Sequence, residues 1–139
     1  MTTRSTLFDE ILLLDDDEDD YVLIKALLQG AFGEAVKLDW YQKDGVATEM
    51  ICSGIYALTM VDYRLGLESG LAIIQDAKAH CPDQVIFLVT SWENEVDLEQ
   101  ARKAGAEGYL QKSGLSIEML QRVFAPFLQN EPGGKSSAR

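Results

Sequence analysis

Short apolar runs alternate along the chain with segments whose apolar residues recur at helical spacing. The runs contain β-branched or aromatic residues, which favour strands, and the spaced segments favour amphipathic helices. The runs predict five strands, near Ile11–Asp15, Val36–Tyr41, Ala57–Asp62, Val85–Thr90 and Gly108–Leu110. The spaced segments predict helices at about Asp19–Gln29, Asp44–Cys52, Gly70–His80 and Glu93–Ala104, with a fifth beginning near Ser116.

Capping and breaking residues support these boundaries. Ser69 and Ser116 stand where a side-chain oxygen can cap a helix N-terminus. Pro82 closes the third helix and Pro126 predicts a kink or an end in the last one. Three glycines are placed where helices should stop: Gly30, Gly54 and Gly105.

Five β/α units in succession define the fold class. Strands this apolar are covered on both faces, which predicts an α/β protein with a parallel sheet between two layers of helices. We expect one domain over residues 9–129, preceded by a short lead at 1–8 and followed by a disordered tail or linker stub at 130–139.

Composition narrows the possible partners. The net charge is −11 and the pI about 4.4, which disfavours direct binding to nucleic acid and to anionic membrane surfaces. No apolar stretch approaches the length of a membrane span and no signal peptide is apparent, so we expect a cytoplasmic protein.

Cys52 and Cys81 lack metal-type spacing and are interpreted as reduced thiols, with one disulfide between them left open.

Acidic residues follow two of the predicted strands. Asp15 and Asp16 end the first and Asp62 ends the third, so in a parallel sheet the three converge at one edge. Crowded carboxylates require a proton, a basic neighbour or a cation, and Mg²⁺ is the hard cation suited to such oxygens. The remaining acidic residues, 17–20, are interpreted as solvated first-turn residues that favour the helix dipole.

Four motifs at strand ends carry a family resemblance. They are Leu14-Asp15-Asp16, Val61-Asp62-Tyr63-Arg64-Leu65, Val89-Thr90-Ser91 and Gly108-Tyr109-Leu110-Gln111-Lys112. In this order the chain resembles a response-regulator receiver domain over roughly residues 9–128. The resemblance implies a flavodoxin-like three-layer fold with strand order 2-1-3-4-5.

The resemblance also implies a phosphoacceptor site. Asp62 would take a phosphoryl group from a phosphohistidine. Mg²⁺, with Mn²⁺ as the alternative, would be held directly by Asp16 and Asp62. Asp15 would act mainly through water, and the Arg64 backbone carbonyl would complete the protein ligands.

Three further residues would recognise the phosphoryl group and transmit the signal. Lys112 would pair with Asp62 at rest and with the phosphoryl group afterwards, and Thr90 would donate its hydroxyl. Tyr109 would be the aromatic switch residue, although an aromatic side chain in a strand also suits simple core packing.

The chain departs from the family pattern at several positions. Ser113 and Gly66 stand where many members have proline, and the Lys112–Ser113 bond is expected to be trans. Arg64 and Trp92 occupy variable positions beside the site. We hypothesise that their bulk hinders the water that hydrolyses the acyl phosphate, which would prolong the signal.

The resemblance implies a histidine kinase or a histidine phosphotransfer protein as donor, a downstream protein target not identifiable from sequence, and a monomer or a weak phosphorylation-dependent dimer. It implies no conventional enzyme.

One alternative is a phosphatase of the haloacid-dehalogenase type, since Asp15 and Asp17 form an Asp-x-Asp; the chain lacks a cap domain and a late acidic pair. Another is a degenerate receiver that acts only as a binding module.

Overall fold

A computed structural model describes residues 9–42, 45–65, 68–91 and 98–128. Its main sheet has five strands, and all neighbouring pairs are parallel. The strands are β1 (Asp9–Leu14), β2 (Val36–Tyr41), β3 (Leu58–Asp62), β4 (Ile86–Thr90) and β5 (Gly108–Gln111). Their spatial order is β2-β1-β3-β4-β5, which confirms the predicted fold class and strand order.

Five helices connect or follow the strands. They are α1 (Glu18–Phe32), α2 (Ala47–Ile51), α3 (Gly70–His80), α4 (Leu98–Ala104) and α5 (Ile117–Phe124). Short 3-10 turns lie at Gly33–Ala35, Lys112–Gly114 and Ala125–Phe127. Within the described ranges, no helix is long and apolar enough to cross a membrane.

The sheet separates two apolar cores. Along β1 the side chains alternate between them, because successive residues of a strand point to opposite faces. Ile11 and Leu13 pack with α1 and α5, whereas Leu12 and Leu14 pack with α2, α3 and α4. All four side chains are fully buried. This explains why β1 is apolar throughout rather than alternating with polar residues.

Most helix boundaries follow the predicted signals. The hydroxyl of Ser69 accepts a hydrogen bond from the Ala72 amide at 3.2 Å, and that of Ser116 accepts one from the Met119 amide at 3.1 Å. Both predicted N-caps are thereby confirmed. α5 ends two residues before Pro126, as predicted.

The prediction that α1 stops at Gly30 is wrong. The helix continues to Phe32 and ends at Gly33, which has a positive φ of 64°. Gly30 instead allows α5 to approach, because a Cβ there would lie 2.5 Å from Ile117 Cδ1. A glycine can mark close packing between helices as well as a helix end.

A short antiparallel pair after β3 was not predicted. Arg64–Leu65 pairs with Glu68–Ser69, and Ser69 then caps α3. The second helix begins at Ala47 and not near Asp44, because Gly45 and Val46 form a turn before it. The expectations for Gly66, for the start of the fourth helix, and for the segments at 1–8 and 130–139 concern positions outside the described residues.

The two cysteines are joined. Cys52 follows α2, Cys81 follows α3, and their sulfur atoms form a disulfide with a Cα–Cα distance of 5.7 Å. The interpretation of both cysteines as reduced thiols is therefore wrong, and the alternative of one disulfide between them is correct. Both helices end at the sheet edge away from Asp15 and Asp62, which places the disulfide far from the acidic cluster.

Candidate functional site

Three carboxylates meet at the C-terminal edge of the sheet. Asp15 follows β1, Asp16 lies next to it, and Asp62 ends β3. One carboxylate oxygen from each residue lies within 4.8 Å of the others. Asp15 and Asp62 are buried and Asp16 is exposed, so the cluster opens to solvent on one side.

Lys112 lies at the centre of this acidic group. Its ammonium nitrogen is 3.0 Å from Asp15 Oδ2 and 3.2 Å from Asp62 Oδ1, and it also donates a hydrogen bond to Asp20 Oδ2. The Lys112 side chain is only 9% exposed. A buried cation between three carboxylates is a strong electrostatic feature, because the partly dry surroundings weaken the screening of each pair.

The pKa values of the buried carboxyl groups are raised despite this lysine. Burial, together with the neighbouring Asp62, raises the pKa of Asp15 from 3.8 to about 7. Burial raises the pKa of Asp62 to about 6, with Lys112 opposing and Asp20 and Asp16 adding to the rise. Burial alone would lower the pKa of Lys112, but its carboxylate partners raise it above the ordinary value.

These shifts have a defined sign for stability. A carboxyl whose pKa is raised on folding favours the folded state below the unfolded pKa of 3.8, and this contribution is lost as the pH rises through about 6 to 7. Without a cation, the ionised site therefore opposes folding at neutral pH. A bound divalent cation would remove this cost, so the donor set fits Mg²⁺.

Trp40 contacts the backbone of Asp15 and is itself stacked on Tyr21. The indole nitrogen of Trp40, on β2, donates a hydrogen bond of 2.7 Å to the Asp15 carbonyl oxygen. The Trp40 ring stacks on Tyr21 of α1, with centroids 4.3 Å apart. The Asp15 carboxylate also accepts a hydrogen bond of 3.0 Å from the Asp17 amide. Asp15 is thus held by both its backbone and its side chain.

Thr90 and Tyr109 lie on the neighbouring strands. Thr90 ends β4 fully buried, and its hydroxyl oxygen has no hydrogen-bond partner among the described residues. Such an unpaired polar atom is unusual in a folded protein and indicates a group that awaits a partner. Tyr109 is half-buried against the core beneath α3 and α4, and its hydroxyl accepts a hydrogen bond of 3.2 Å from Gln111.

Gly70 sets the position of the Asp62 backbone. A Cβ at Gly70 would lie 2.5 Å from the Asp62 carbonyl oxygen and 3.0 Å from Tyr63 Cα. The Gly70 amide also donates a hydrogen bond of 2.6 Å to the Tyr63 carbonyl. The first residue of α3 is therefore packed directly against the chain that carries Asp62.

We expect Gly70→Ala to lower the free energy of unfolding by about 2 kcal/mol, because the added methyl group meets backbone that cannot move aside cheaply. Urea denaturation followed by circular dichroism measures this. Gly45→Ala is the matched control, since a Cβ at that described position meets open space. Equal stability of the two variants would contradict the close packing at Gly70.

Of the two bulky residues expected beside the site, the structure describes Arg64 and does not describe Trp92. Arg64 is exposed and lies in the short strand after Asp62. Trp92 lies outside the described residues. The backbone has trans peptide bonds throughout the described ranges, including Lys112–Ser113, as expected.

The sequence did not reveal that Asp20 and Trp40 contact residues of the site. Asp17 caps α1 by accepting a hydrogen bond of 2.9 Å from the Asp19 amide, which agrees with its interpretation as a first-turn residue. For Asp20 that interpretation is wrong, because its carboxylate contacts Lys112. Trp40 carried no signal beyond an aromatic residue in a strand, and its contact with Asp15 depends on the pairing of β1 with β2.

The chain matches a known protein family. The family model described as the response regulator receiver domain matches residues 11–124, and the chain belongs to this family. Transcriptional regulatory protein ZraR of Salmonella typhimurium is 31% identical over 114 residues, which are 82% of this chain and 25% of ZraR. The chain therefore spans about a quarter of the length of this curated relative.

Solved structures agree on the fold. A two-component response regulator from Clostridium difficile superposes with a TM-score of 0.72 at 21% identity, covering 86% of this chain and 94% of that one. The response regulator TrrA of Thermotoga maritima, in complex with Mg²⁺-BeF, has a TM-score of 0.71 at 25% identity, with 87% and 100% covered. This chain is accordingly the receiver domain of a two-component response regulator.

Proposed function

We propose that the domain accepts a phosphoryl group on Asp62 from a phosphohistidine donor and thereby switches a protein-interaction surface. The observation that carries this proposal is the ion pair between Lys112 and the buried Asp62, set within a cluster of three carboxylates. A structural role alone would not favour a buried acidic cluster whose pKa values are raised.

The reaction exchanges one bond to phosphorus for another. A carboxylate oxygen of Asp62 attacks the phosphorus, the P–N bond to the donor imidazole breaks, and the imidazole nitrogen takes up a proton. Lys112 neutralises developing charge on the phosphoryl oxygens, which is the main requirement of phosphoryl transfer. Hydrolysis of the acyl phosphate later returns Asp62 to its carboxylate. The domain turns over no external metabolite.

A divalent cation would complete the charge balance. Asp15, Asp16 and Asp62 would hold Mg²⁺, with the Arg64 carbonyl as a further ligand, and the ion would stabilise negative charge on the phosphoryl group. The fit rests on the all-oxygen donor set and on the raised pKa values of Asp15 and Asp62. TrrA, at 25% identity, was solved in complex with Mg²⁺-BeF, which supports Mg²⁺ rather than Mn²⁺ here.

The switch would begin at Thr90. Its unpaired buried hydroxyl would donate to a phosphoryl oxygen, which draws the end of β4 toward Asp62. Tyr109, half-buried on the adjacent strand, would then follow inward and change the face formed by α4, β5 and α5. Arg64 and Trp92 would slow the attack of water and lengthen the signal.

Partners follow from the family. The donor would be a histidine kinase or a histidine phosphotransfer protein, and the target a protein that binds the switched face. The family favours a cytoplasmic location, whereas the disulfide between Cys52 and Cys81 is of a kind rare in that compartment. We propose a monomer or a weak phosphorylation-dependent dimer, with no direct contact to nucleic acid or membrane. The acidic charge of −11 agrees with this last point.

Intact-mass analysis after incubation with acetyl phosphate and Mg²⁺ tests the proposal. We expect one added phosphoryl group, and no adduct when Mg²⁺ is removed or Asp62 is replaced in Asp62→Asn. Asp76→Asn is the matched control, because Asp76 is an exposed aspartate on α3 and its loss should leave labelling unchanged.

The two alternative readings predict different outcomes. A folded, Mg²⁺-binding protein that remains unlabelled even by a phosphorylated histidine protein would be a degenerate receiver. Steady release of phosphate from p-nitrophenyl phosphate would indicate a phosphatase. No observation on the described residues favours either of these.

A further inference from the structure

Lys112 has one more partner than its proposed role requires. Its ammonium group has three N–H donors and faces three carboxylates, those of Asp15, Asp20 and Asp62. Two of these carboxylates belong to strand ends of the phosphoacceptor site. Asp20 comes from the first turn of α1, and 92 positions separate it from Lys112 in the chain.

We propose that Asp20 is a positioning residue that holds Lys112 away from the phosphoryl group and thereby slows phosphorylation of Asp62. This inference rests on the proposed function. An incoming phosphoryl oxygen needs an N–H donor from Lys112, whose ammonium group donates a hydrogen bond to Asp20 and lies 3.0 and 3.2 Å from the carboxylate oxygens of Asp15 and Asp62. The bond to Asp20 therefore competes with the phosphoryl group for the lysine.

Asp20 is the partner that opposes the reaction. The contact with Asp62 is replaced as the phosphoryl group forms on that residue, and Asp15 belongs to the cation site. Asp20 has no such role, and its side chain is 20% exposed, so water can solvate it once Lys112 leaves. Its charge also repels the phosphoryl oxygens, because Asp20 and Asp62 contact the same nitrogen atom.

Asp20→Asn keeps the shape of the side chain but removes its charge. We expect the maximal rate of Asp62 phosphorylation by acetyl phosphate to rise roughly fivefold, the scale of one charge removed at a few ångströms in a partly hydrated site. Rates are compared at saturating Mg²⁺, after the Mg²⁺ affinity of each variant has been measured. Asp20→Glu keeps the charge and should retain a rate at or below that of the parent protein.

Asp19→Asn is the matched control. Asp19 is the neighbouring aspartate on the same turn, is exposed, and loses the same charge when replaced. We expect its rate to stay within about twofold of the parent protein and to converge with it as salt rises, since a remote exposed charge is screened. The effect of Asp20→Asn should persist at high salt.

A double-mutant cycle with Lys112→Gln separates this role from a general structural one. If Asp20 acts through Lys112, Asp20→Asn loses its accelerating effect in the Lys112→Gln background. An unchanged or slower rate in Asp20→Asn, or equal acceleration in Asp19→Asn, would overturn the inference. A parent protein that forms no adduct would instead overturn the proposed function itself.

Discussion

Reduction of the disulfide between Cys52 and Cys81 is expected to lower the free energy of unfolding by about 3 kcal/mol. The cross-link closes a loop of 29 positions, and loss of such a loop restores conformational freedom to the unfolded chain on this scale. The loop contains β3 and all of α3, so the unfolded chain is constrained across a large part of one layer.

Urea denaturation with and without a thiol reductant measures this effect. The oxidised protein should unfold at the higher midpoint, and alkylation followed by intact-mass analysis confirms its redox state. The double variant Cys52→Ala and Cys81→Ala is the control, because its midpoint should not respond to reductant. Equal midpoints for the verified oxidised and reduced forms, or two free thiols after mild oxidation, would contradict the prediction.

Lys112→Met is expected to destabilise the cation-free protein by about 3 kcal/mol at pH 8, because it leaves buried carboxylates without their counter-charge. It should also slow the labelling of Asp62 by acetyl phosphate about a hundredfold, to a rate that prolonged incubation still measures. The stability difference should shrink as the pH falls to 5. Without the lysine, the buried carboxyl groups of Asp15 and Asp62 take up protons more readily, and their cost to the folded state disappears.

Chemical denaturation at both pH values checks this result. Lys103→Met removes an exposed lysine from α4 and controls for the loss of one positive charge. The double variant Asp15→Asn and Lys112→Met should recover part of the lost stability, since it also removes a repelling carboxylate. If Lys112→Met and Lys103→Met are equally stable at pH 8, the ion pairs of Lys112 contribute nothing net to folding.

Residues at strand ends could be placed from sequence because a parallel sheet converts chain order into spatial order. Asp15 and Asp62 each end an apolar run, and the pairing of β1 with β3 brings them to one edge. Thr90 and Lys112 follow the next two strands in the same way. Their mutual proximity needs no knowledge of side-chain conformation.

Contacts that depend on helix rotation or on helix packing could not be predicted in this way. Asp20 reaches Lys112 only because α1 turns that residue toward the sheet edge, whereas Asp19 on the same turn is exposed. Gly30 looked like a helix end, yet it serves the contact with Ile117. The disulfide likewise required the ends of α2 and α3 to be adjacent, which sequence spacing does not reveal.

The disulfide has a mechanical consequence for the layer formed by α2, α3 and α4. It fastens the C-terminal ends of α2 and α3 to each other, while Gly70 seats the opposite end of α3 on the backbone of Asp62. These two helices are therefore cross-linked to each other and packed onto the sheet. α4 packs against α3 without a covalent link, so we expect α4 to rearrange more easily than α2 and α3 when the domain switches.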